Sequence, residues 1–132
     1  MLDKNASGIG QKKKIIMAVD DSTETLLLIS IILRDDFDVR LCNGSNVAFS
    51  MLERYKPDLI LLDVEMPEMN GFEFMEKFKK KYPYSDVPVI FVTSHRTEDA
   101  VTLAARAGAK GYVGKPFTSD ILRSKVFEAL KD

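Results

Sequence analysis

The stretch PDLILLDVEMPEMNGFE, residues 57–73, decides the fold of this chain. It opens with a proline and a short apolar run, LILL, which ends abruptly in Asp63. A continuous apolar run of this length predicts a β-strand whose two faces are both covered by helices. From residue 71 to residue 82 the apolar positions follow helical spacing, with lysines between them. The stretch therefore predicts a buried strand that leads into an amphipathic helix.

The same order of strand and helix occurs five times along the chain. Strands are predicted at 14–19, 37–42, 57–63 and 87–93 and, very short, within 111–116; helices are predicted at 22–35, 45–56, 71–82, 97–108 and 118–132. Strands that alternate with helices favour an α/β fold with a parallel sheet. We predict a doubly wound five-stranded parallel sheet in the order 2-1-3-4-5, the flavodoxin-like (βα)5 arrangement, with right-handed crossovers.

Size and composition indicate one globular domain. The chain has 132 residues, of which 45% are hydrophobic and 30% charged, which suffices for a single core. Residues 1–13 are polar and show no period, so we predict a flexible N-terminal tail followed by a folded domain over 14–132. A net charge of −1 gives no support to nucleic-acid or membrane binding. The single Cys42 requires no oxidising compartment, and a cytoplasmic location is the simpler expectation.

Polar side chains follow the apolar runs at four of the five predicted strands. Asp20 and Asp21 follow the first strand, Asp63 the third, and Lys115 the fifth, while Thr93 closes the fourth. In a 2-1-3-4-5 sheet the carboxyl ends of these strands meet at one edge, around the third strand. The sequence therefore places three carboxylates, a hydroxyl and an ammonium group together.

These residue types predict phosphoryl chemistry that depends on a divalent cation. Clustered carboxylates repel one another and offer the oxygen ligands that Mg²⁺ prefers. A carboxylate can act as the nucleophile that forms an aspartyl-phosphate, and a lysine and a hydroxyl can bind phosphoryl oxygens. The residues alone thus predict a Mg²⁺-dependent phosphoryl-accepting site centred on Asp63.

Four motifs carry a resemblance to a known family. AVDDS, LILLDVEMPEMNGFE, PVIFVTS and GYVGKPF are similar to the signature of the response-regulator receiver domain of two-component, His–Asp phosphorelay signalling. The spacing agrees, since Asp63 lies 43 residues after Asp20, Thr93 lies 30 after Asp63, and Lys115 a further 22 along. The resemblance covers residues 14 to 131.

The resemblance implies a role for each acid. Asp63 is the implied phosphoacceptor. Asp21 and Asp63 are implied to ligate Mg²⁺ directly, together with the backbone carbonyl of Glu65, while Asp20 acts through a water molecule. Mn²⁺ is the alternative ion. The side chain of Glu65 is further implied to tune the lifetime of the phosphoryl group.

The resemblance also implies a switch. Thr93 and Lys115 bind the phosphoryl group, and Lys115 pairs with Asp63 before transfer. Tyr112 occupies the position of an aromatic residue that turns inward when the threonine moves. The bond between Lys115 and Pro116 is expected to be cis.

The implied function is a signalling switch rather than a turnover enzyme. The phosphoryl donor is a phosphohistidine of a sensor histidine kinase or phosphotransfer protein. Phosphorylation changes a face formed by helix 97–108, strand 111–113 and helix 118–131, which binds a downstream target protein or output domain. A second copy of the chain, in a homodimer formed on phosphorylation, is an alternative partner, and the sequence leaves the oligomeric state open. Neither nucleic acid nor a membrane is an expected partner of this chain.

Two other functions stay open at this point. An aspartyl-phosphate phosphatase uses similar chemistry, but usually has a second aspartate two residues after the nucleophile, where this chain has Glu65. A receiver-like module that signals without phosphate usually lacks one of the acids, the threonine or the lysine. The sequence leaves open whether the chain acts alone or is one domain of a longer regulator or hybrid kinase. His95, the single histidine, is interpreted as an exposed loop residue.

Overall fold

A computed structural model of the protein describes residues 12–94 and 98–131. Within them five strands alternate with five helices, in the order β1 (Ile15–Val19), α1 (Thr23–Leu33), β2 (Asp38–Cys42), α2 (Ser45–Leu52), β3 (Leu59–Leu62), α3 (Gly71–Lys81), β4 (Val89–Thr93), α4 (Glu98–Arg106), β5 (Gly111–Gly114) and α5 (Ser119–Ala129). The fold class predicted from the sequence is confirmed.

The strands form one parallel sheet in the order β2-β1-β3-β4-β5, as the sequence predicts. The central strand β3 lies between β1 and β4, with Ile16 paired with Leu59 and Ile60 paired with Val89. All four residues of β3 are buried. Burial on both faces explains why the strand is a continuous apolar run.

The helices cover the two faces of the sheet and enclose two cores. Because side chains alternate along a strand, Ile16 and Ala18 of β1 face one core and Met17 and Val19 the other. Helices α1 and α5 pack on the first core, and α2, α3 and α4 pack on the second. This arrangement leaves the ends of the strands free for a site.

Local capping positions the helices beside the strand ends. The hydroxyl of Ser22 accepts a hydrogen bond from the backbone N–H of Thr25 at 3.3 Å, so Ser22 caps α1. Thr118 caps α5 in the same way through Ile121 at 3.2 Å. Gly108 has φ +93°, a left-handed conformation that favours glycine at the end of a helix.

Helix α2 is shorter than predicted. The sequence pattern places its end at residue 56, whereas the helix ends at Leu52. The backbone N–H groups of Arg54 and Tyr55 both donate to the carbonyl of Met51, which tightens the chain into a turn. The following Pro57 disfavours helical backbone before it. Within this helix Val47 is 40% exposed, whereas Phe49 is buried.

Some predictions fall outside the described residues. They concern residues 1–11 of the predicted tail, His95 and residue 97 at the predicted start of the fourth helix, and Asp132. In the part of the chain that the structure describes, no helix combines the length and the apolar character needed to cross a membrane.

Candidate phosphoryl and metal site

Three carboxylates meet at the carboxyl edge of the sheet. The N–H of Asp20 donates to the carbonyl of Cys42 at 3.0 Å, and that of Asp63 to the carbonyl of Val19 at 3.0 Å. These bonds extend the sheet one residue beyond each strand and fix both acids. One oxygen each from Asp20, Asp21 and Asp63 lies within 4.8 Å of the others. The structure thus brings together the three acids named from the sequence.

The acids differ in their exposure. Asp20 is 2% exposed and Asp63 is 5% exposed, whereas Asp21, which directly precedes the cap of α1, is exposed. Burying ionised carboxylates is costly unless a cation or hydrogen bonds compensate. The buried pair therefore needs local compensation.

Lys115 supplies part of that compensation. Its backbone N–H donates to the carbonyl of Thr93 at 2.8 Å, which fixes the residue beside the end of β4. Its ammonium nitrogen lies 2.8 Å from Oδ2 of Asp20 and 3.5 Å from Oδ2 of Asp63. The resemblance implies pairing with Asp63, and the closer partner here is Asp20. The peptide bond that follows, to Pro116, is cis.

Hydrogen bonds orient the two buried carboxylates. Oδ1 of Asp20 accepts from the N–H of Ser22 at 2.8 Å, and Oδ1 of Asp63 accepts from the N–H of Glu65 at 3.3 Å. The fully buried Thr93 also forms a side-chain hydrogen bond with Asp63. Each carboxylate therefore points its second oxygen, Oδ2, toward Lys115.

The environment shifts the pKa of both central groups. Burial, and next the charge of Asp20, raise the pKa of Asp63, although Lys115, the N–H of Glu65 and Thr93 act in the opposite direction. Burial lowers the pKa of Lys115, but its hydrogen bond with Asp20 and the charge of Asp63 outweigh this effect, so the net shift is upward. The site thus holds more negative charge than Lys115 neutralises.

Two other predicted residues lie around this centre. Glu65 is exposed and, with Asp21 and Met66, lines a shallow cavity of about 490 Å³. Tyr112 is half-buried in β5, where it pairs with Phe91 of β4, and its hydroxyl oxygen is buried. Glu65 therefore lies beside Asp21 on the exposed side of the site, while Tyr112 lies in β5, the strand next to the one that carries Thr93.

Asn70 and Gly71 fix the loop after Asp63 through contacts that the sequence did not specify. Asn70 caps α3, and its side chain and that of Glu73 exchange hydrogen bonds with each other's backbone. A Cβ on Gly71 would lie 2.6 Å from the carbonyl oxygen of Asp63 and 2.7 Å from the ring of Phe91. The helix can approach the backbone of Asp63 only because residue 71 is glycine. The Asn-Gly pair before an amphipathic helix was the available signal.

The donor set fits a hard divalent cation. The oxygens come from Asp20, Asp21 and Asp63. Among the residues that the structure describes, no histidine or cysteine belongs to this cluster. Mg²⁺ prefers such oxygens and commonly retains water ligands. The exposed Asp21 leaves one side of the cluster accessible to the ion and its water molecules.

Comparisons with known proteins match most of the chain. The family model described as the response regulator receiver domain matches residues 16–127. A protein-glutamate methylesterase/protein-glutamine glutaminase of Agrobacterium fabrum is 40% identical over 110 residues, 80% of this chain and 30% of that protein. A probable cyclic di-GMP phosphodiesterase of Vibrio cholerae is 33% identical over 117 residues, 89% of this chain and 26% of that protein.

Solved structures show the same fold. The chemotaxis protein CheY4 of Vibrio cholerae superposes with a TM-score of 0.83 at 27% identity, over 89% of this chain and 99% of that one. The chain spans about a quarter to a third of the length of the curated relatives that it matches.

Proposed function

Because the chain belongs to the response regulator receiver domain family, we propose that it is a phosphorylation-dependent signalling switch with Asp63 as its phosphoacceptor. The donor is the phosphohistidine of a sensor histidine kinase or a phosphotransfer protein. The product signals through a downstream target protein or an output domain.

The observation that carries this proposal is the compensated acidic cluster at the carboxyl edge. Two buried carboxylates and one exposed carboxylate lie within 4.8 Å of one another, and a single ammonium group contacts the two buried ones. A structural ion pair would need only one acid beside Lys115. The excess of carboxylate oxygens supports a site that also accepts a cation.

The residues proposed to hold Mg²⁺ or Mn²⁺ are Asp21 and Asp63, with the backbone carbonyl of Glu65 and, through water, Asp20. When bound, the ion supplies positive charge that offsets repulsion between the phosphoryl oxygens and the attacking carboxylate. The exposed side of Asp21 supports entry of a hydrated ion from solvent.

The proposed reaction is an in-line phosphoryl transfer. One carboxylate oxygen of Asp63 attacks phosphorus, and an O–P bond forms as the P–N bond to the donor histidine breaks. The bonding electron pair leaves with the imidazole nitrogen. Lys115 contributes positive charge beside the transferred group.

The proposed response begins at Thr93 and Lys115. A phosphoryl group brings a charge of about −1.5 to −2 and three acceptor oxygens, which attract the hydroxyl of Thr93 and the ammonium of Lys115. The backbone of Lys115 bonds to Thr93, so changes at either residue affect the end of β5. Tyr112 then reorients, and the face formed by α4, β5 and α5 changes its affinity for a partner as the population shifts between two states.

An exposed apolar surface supports docking of the donor beside the site. On α1, which begins just after Asp21, Leu27 is 53% exposed, Leu28 is 44% exposed and Ile31 is 58% exposed. Clustered exposed aliphatic side chains of this kind are common in protein interfaces. The proposed donor is a protein whose apolar surface covers this part of α1 while its phosphohistidine reaches Asp63.

The catalysis proposed here is limited to the chain's own phosphorylation and dephosphorylation, the latter tuned by Glu65. The relatives that carry an enzyme name extend well beyond the region matched by this chain. A cytoplasmic location and the division into a tail, residues 1–13, and a domain over 14–132 stay predictions from the sequence.

Acetyl phosphate, a small phosphoryl donor, tests the proposal. Wild-type protein is incubated with it in Mg²⁺ or in a chelator, and intact mass is measured. We expect one phosphoryl group per chain with Mg²⁺ and little without it, and none on Asp63→Asn. Equal labelling of wild type and variant would contradict the assignment of Asp63. Multiple turnover of a free phosphomonoester would favour a phosphatase, and absence of Mg²⁺ binding would favour a phosphate-independent module.

A further inference from the structure

The amino edge of the sheet, opposite Asp63, has two adjoining cavities. One, of about 460 Å³, lies between the ends of α2 and α3 and has the aromatic side chains of Tyr55, Phe78, Tyr82 and Tyr84 in its lining. The other, of about 330 Å³, is polar. Both are lined by Lys56, Pro57 and Val87, so they share a border.

The polar cavity is basic. Lysines from four separate parts of the chain line it: Lys14, Lys56, Lys110 and Lys131. Two acids accompany them, but Oδ2 of Asp58 accepts the N–H of Ile15 at 2.7 Å, and Asp86 pairs with Lys56 at 3.1 Å. The side chains of Asp86 and Lys56 are 87% and 70% exposed. An incoming anion can therefore replace Asp86 beside Lys56 at little cost in free energy.

The aromatic cavity has a side chain available to cover a ligand. Tyr84 is 99% exposed, and its ring therefore loses no packing if it moves over a bound ring. Phe78 and Tyr82 also line this cavity, with ring centroids 5.4 Å apart, and Phe78 is buried. Aromatic faces bind planar rings by stacking, without requiring a particular base.

We propose that this edge binds a nucleoside phosphate, with its ring in the aromatic cavity and its phosphates on the lysines of the basic cavity. Each cavity falls within or close to the size range of small-molecule sites. Both volumes suit a small molecule with a ring and a few phosphate groups. The pairing of aromatic and cationic compartments matches a ligand that has both kinds of group.

Nuclear magnetic resonance titration of the full chain tests this proposal. ADP, adenosine and pyrophosphate are added separately, with a chelator present so that no metal–nucleotide complex reaches the acidic site. We expect ADP to shift amides around Lys56, Val87 and Lys110 with a dissociation constant of about 0.1–1 mM. Adenosine and pyrophosphate each fill one cavity, so each should bind at least about tenfold more weakly.

Three exposed-residue variants separate the two compartments. Lys110→Ala should weaken ADP and pyrophosphate by about three- to tenfold. Tyr84→Ala should weaken ADP by a similar factor, about three- to tenfold, and leave pyrophosphate unchanged. Lys125→Ala is the control, because Lys125 is a half-exposed lysine of α5 outside both cavities, and it should change the affinity for neither ligand.

Several results would overturn the proposal. The first is an ADP titration that gives no saturable shifts at this edge. The second is an equal affinity for ADP and pyrophosphate together with an unchanged ADP affinity in Tyr84→Ala, because that result indicates general attraction of anions by lysines. Binding of polyglutamate but not ADP would assign the edge to acidic peptides. Labelling of Asp63 with acetyl phosphate, measured on the same samples, is independent of each of these outcomes.

Discussion

Lys115 lies closer to Asp20 than to the proposed phosphoacceptor, with its ammonium nitrogen 2.8 Å from Oδ2 of Asp20 and 3.5 Å from Oδ2 of Asp63. The lysine therefore occupies the interior side of the acidic cluster, while Asp21 faces solvent. We expect a metal ion and Lys115 to compete for the carboxylate oxygens before phosphorylation. When a phosphoryl group is present, both should stabilise its negative charge.

Removing this ammonium group should separate metal binding from phosphorylation. We expect Lys115→Met to bind Mg²⁺ about three- to tenfold more tightly, because a competing positive charge is lost. The same variant should be labelled more slowly by acetyl phosphate, because the charge beside the transferred group is gone. Calorimetry measures the affinity, since the chain has no tryptophan. Lys125→Met is the control, and weaker Mg²⁺ binding by Lys115→Met would contradict the competition.

In the metal-free protein, the ionised carboxylate of Asp63 should lower the free energy of unfolding. Its pKa is raised in the fold, first by burial and then by Asp20. The folded protein therefore binds the proton of the Asp63 carboxyl group more tightly than the unfolded chain does. This adds stability at pH values below the pKa of Asp63 in the unfolded chain, and the gain is lost as pH rises through its pKa in the folded protein. At neutral pH we expect Asp63→Asn to raise the metal-free unfolding midpoint by about 2–6 °C. Mg²⁺ should stabilise wild type but not the variant. A lower unfolding midpoint for Asp63→Asn than for wild type would show that ionised Asp63 does not destabilise the metal-free fold.

The same shift sets the direction of the pH dependence of metal binding. Protonation of Asp63 removes a ligand, and a raised pKa means that protons compete at higher pH than for an ordinary aspartate, whose pKa is about 3.9. Mg²⁺ affinity should therefore fall as pH is lowered, beginning above that ordinary range. Calorimetric titrations between neutral and weakly acidic pH measure this, and an affinity that is flat until the ordinary range would be inconsistent with it.

Gly71 should be required for the geometry of Asp63. A methyl group at this position would meet the backbone of Asp63 and the ring of Phe91 at 2.6 and 2.7 Å. We expect Gly71→Ala to cost about 1–3 kcal/mol of unfolding free energy and to slow acetyl phosphate labelling. Gly44→Ala is the matched control, because a Cβ there would meet nothing within 4 Å. If both variants behave alike in denaturant unfolding and labelling, the close approach has no role.

Adjacent leucines of α1 should separate folding from donor docking. Leu26 is 4% exposed and Leu27 is 53% exposed. Leu26→Ala should cost about 2–5 kcal/mol of unfolding free energy, whereas Leu27→Ala should change it by about 0.5 kcal/mol or less. Leu27→Ala should nevertheless slow transfer from a phosphorylated histidine kinase and leave acetyl phosphate labelling unchanged. Equal kinase transfer by Leu27→Ala and wild type would remove this surface from the docking site.

Much of the fold and the acidic cluster could be predicted from the sequence because both depend on local patterns. The run LILL before Asp63 indicates a strand buried on both faces, and parallel strands bring their carboxyl ends to one edge. The preference of Lys115 for Asp20 could not be predicted, because a flexible side chain can reach either acid. The close approach at Gly71 depends on the position of α3 and the ring of Phe91, which are tertiary features.

Helical periodicity was least informative where apolar residues surround the helix. Helix α1 has leucines or isoleucines on both its buried and its exposed sides, so the pattern alone does not identify a docking surface. In α2 Phe49 is buried and Val47 is 40% exposed. Such orientations are set by packing between elements rather than by sequence spacing.

The location of the phosphoryl group on the chain tests the central proposal most directly. Wild-type protein labelled by acetyl phosphate in Mg²⁺ is reduced with borohydride, which converts an aspartyl-phosphate to homoserine, and digested peptides are sequenced by mass spectrometry. We predict homoserine at residue 63 alone, and none when Mg²⁺ is removed. Homoserine at Asp20 or Asp21, or unmodified Asp63 in fully phosphorylated protein, would contradict the assignment.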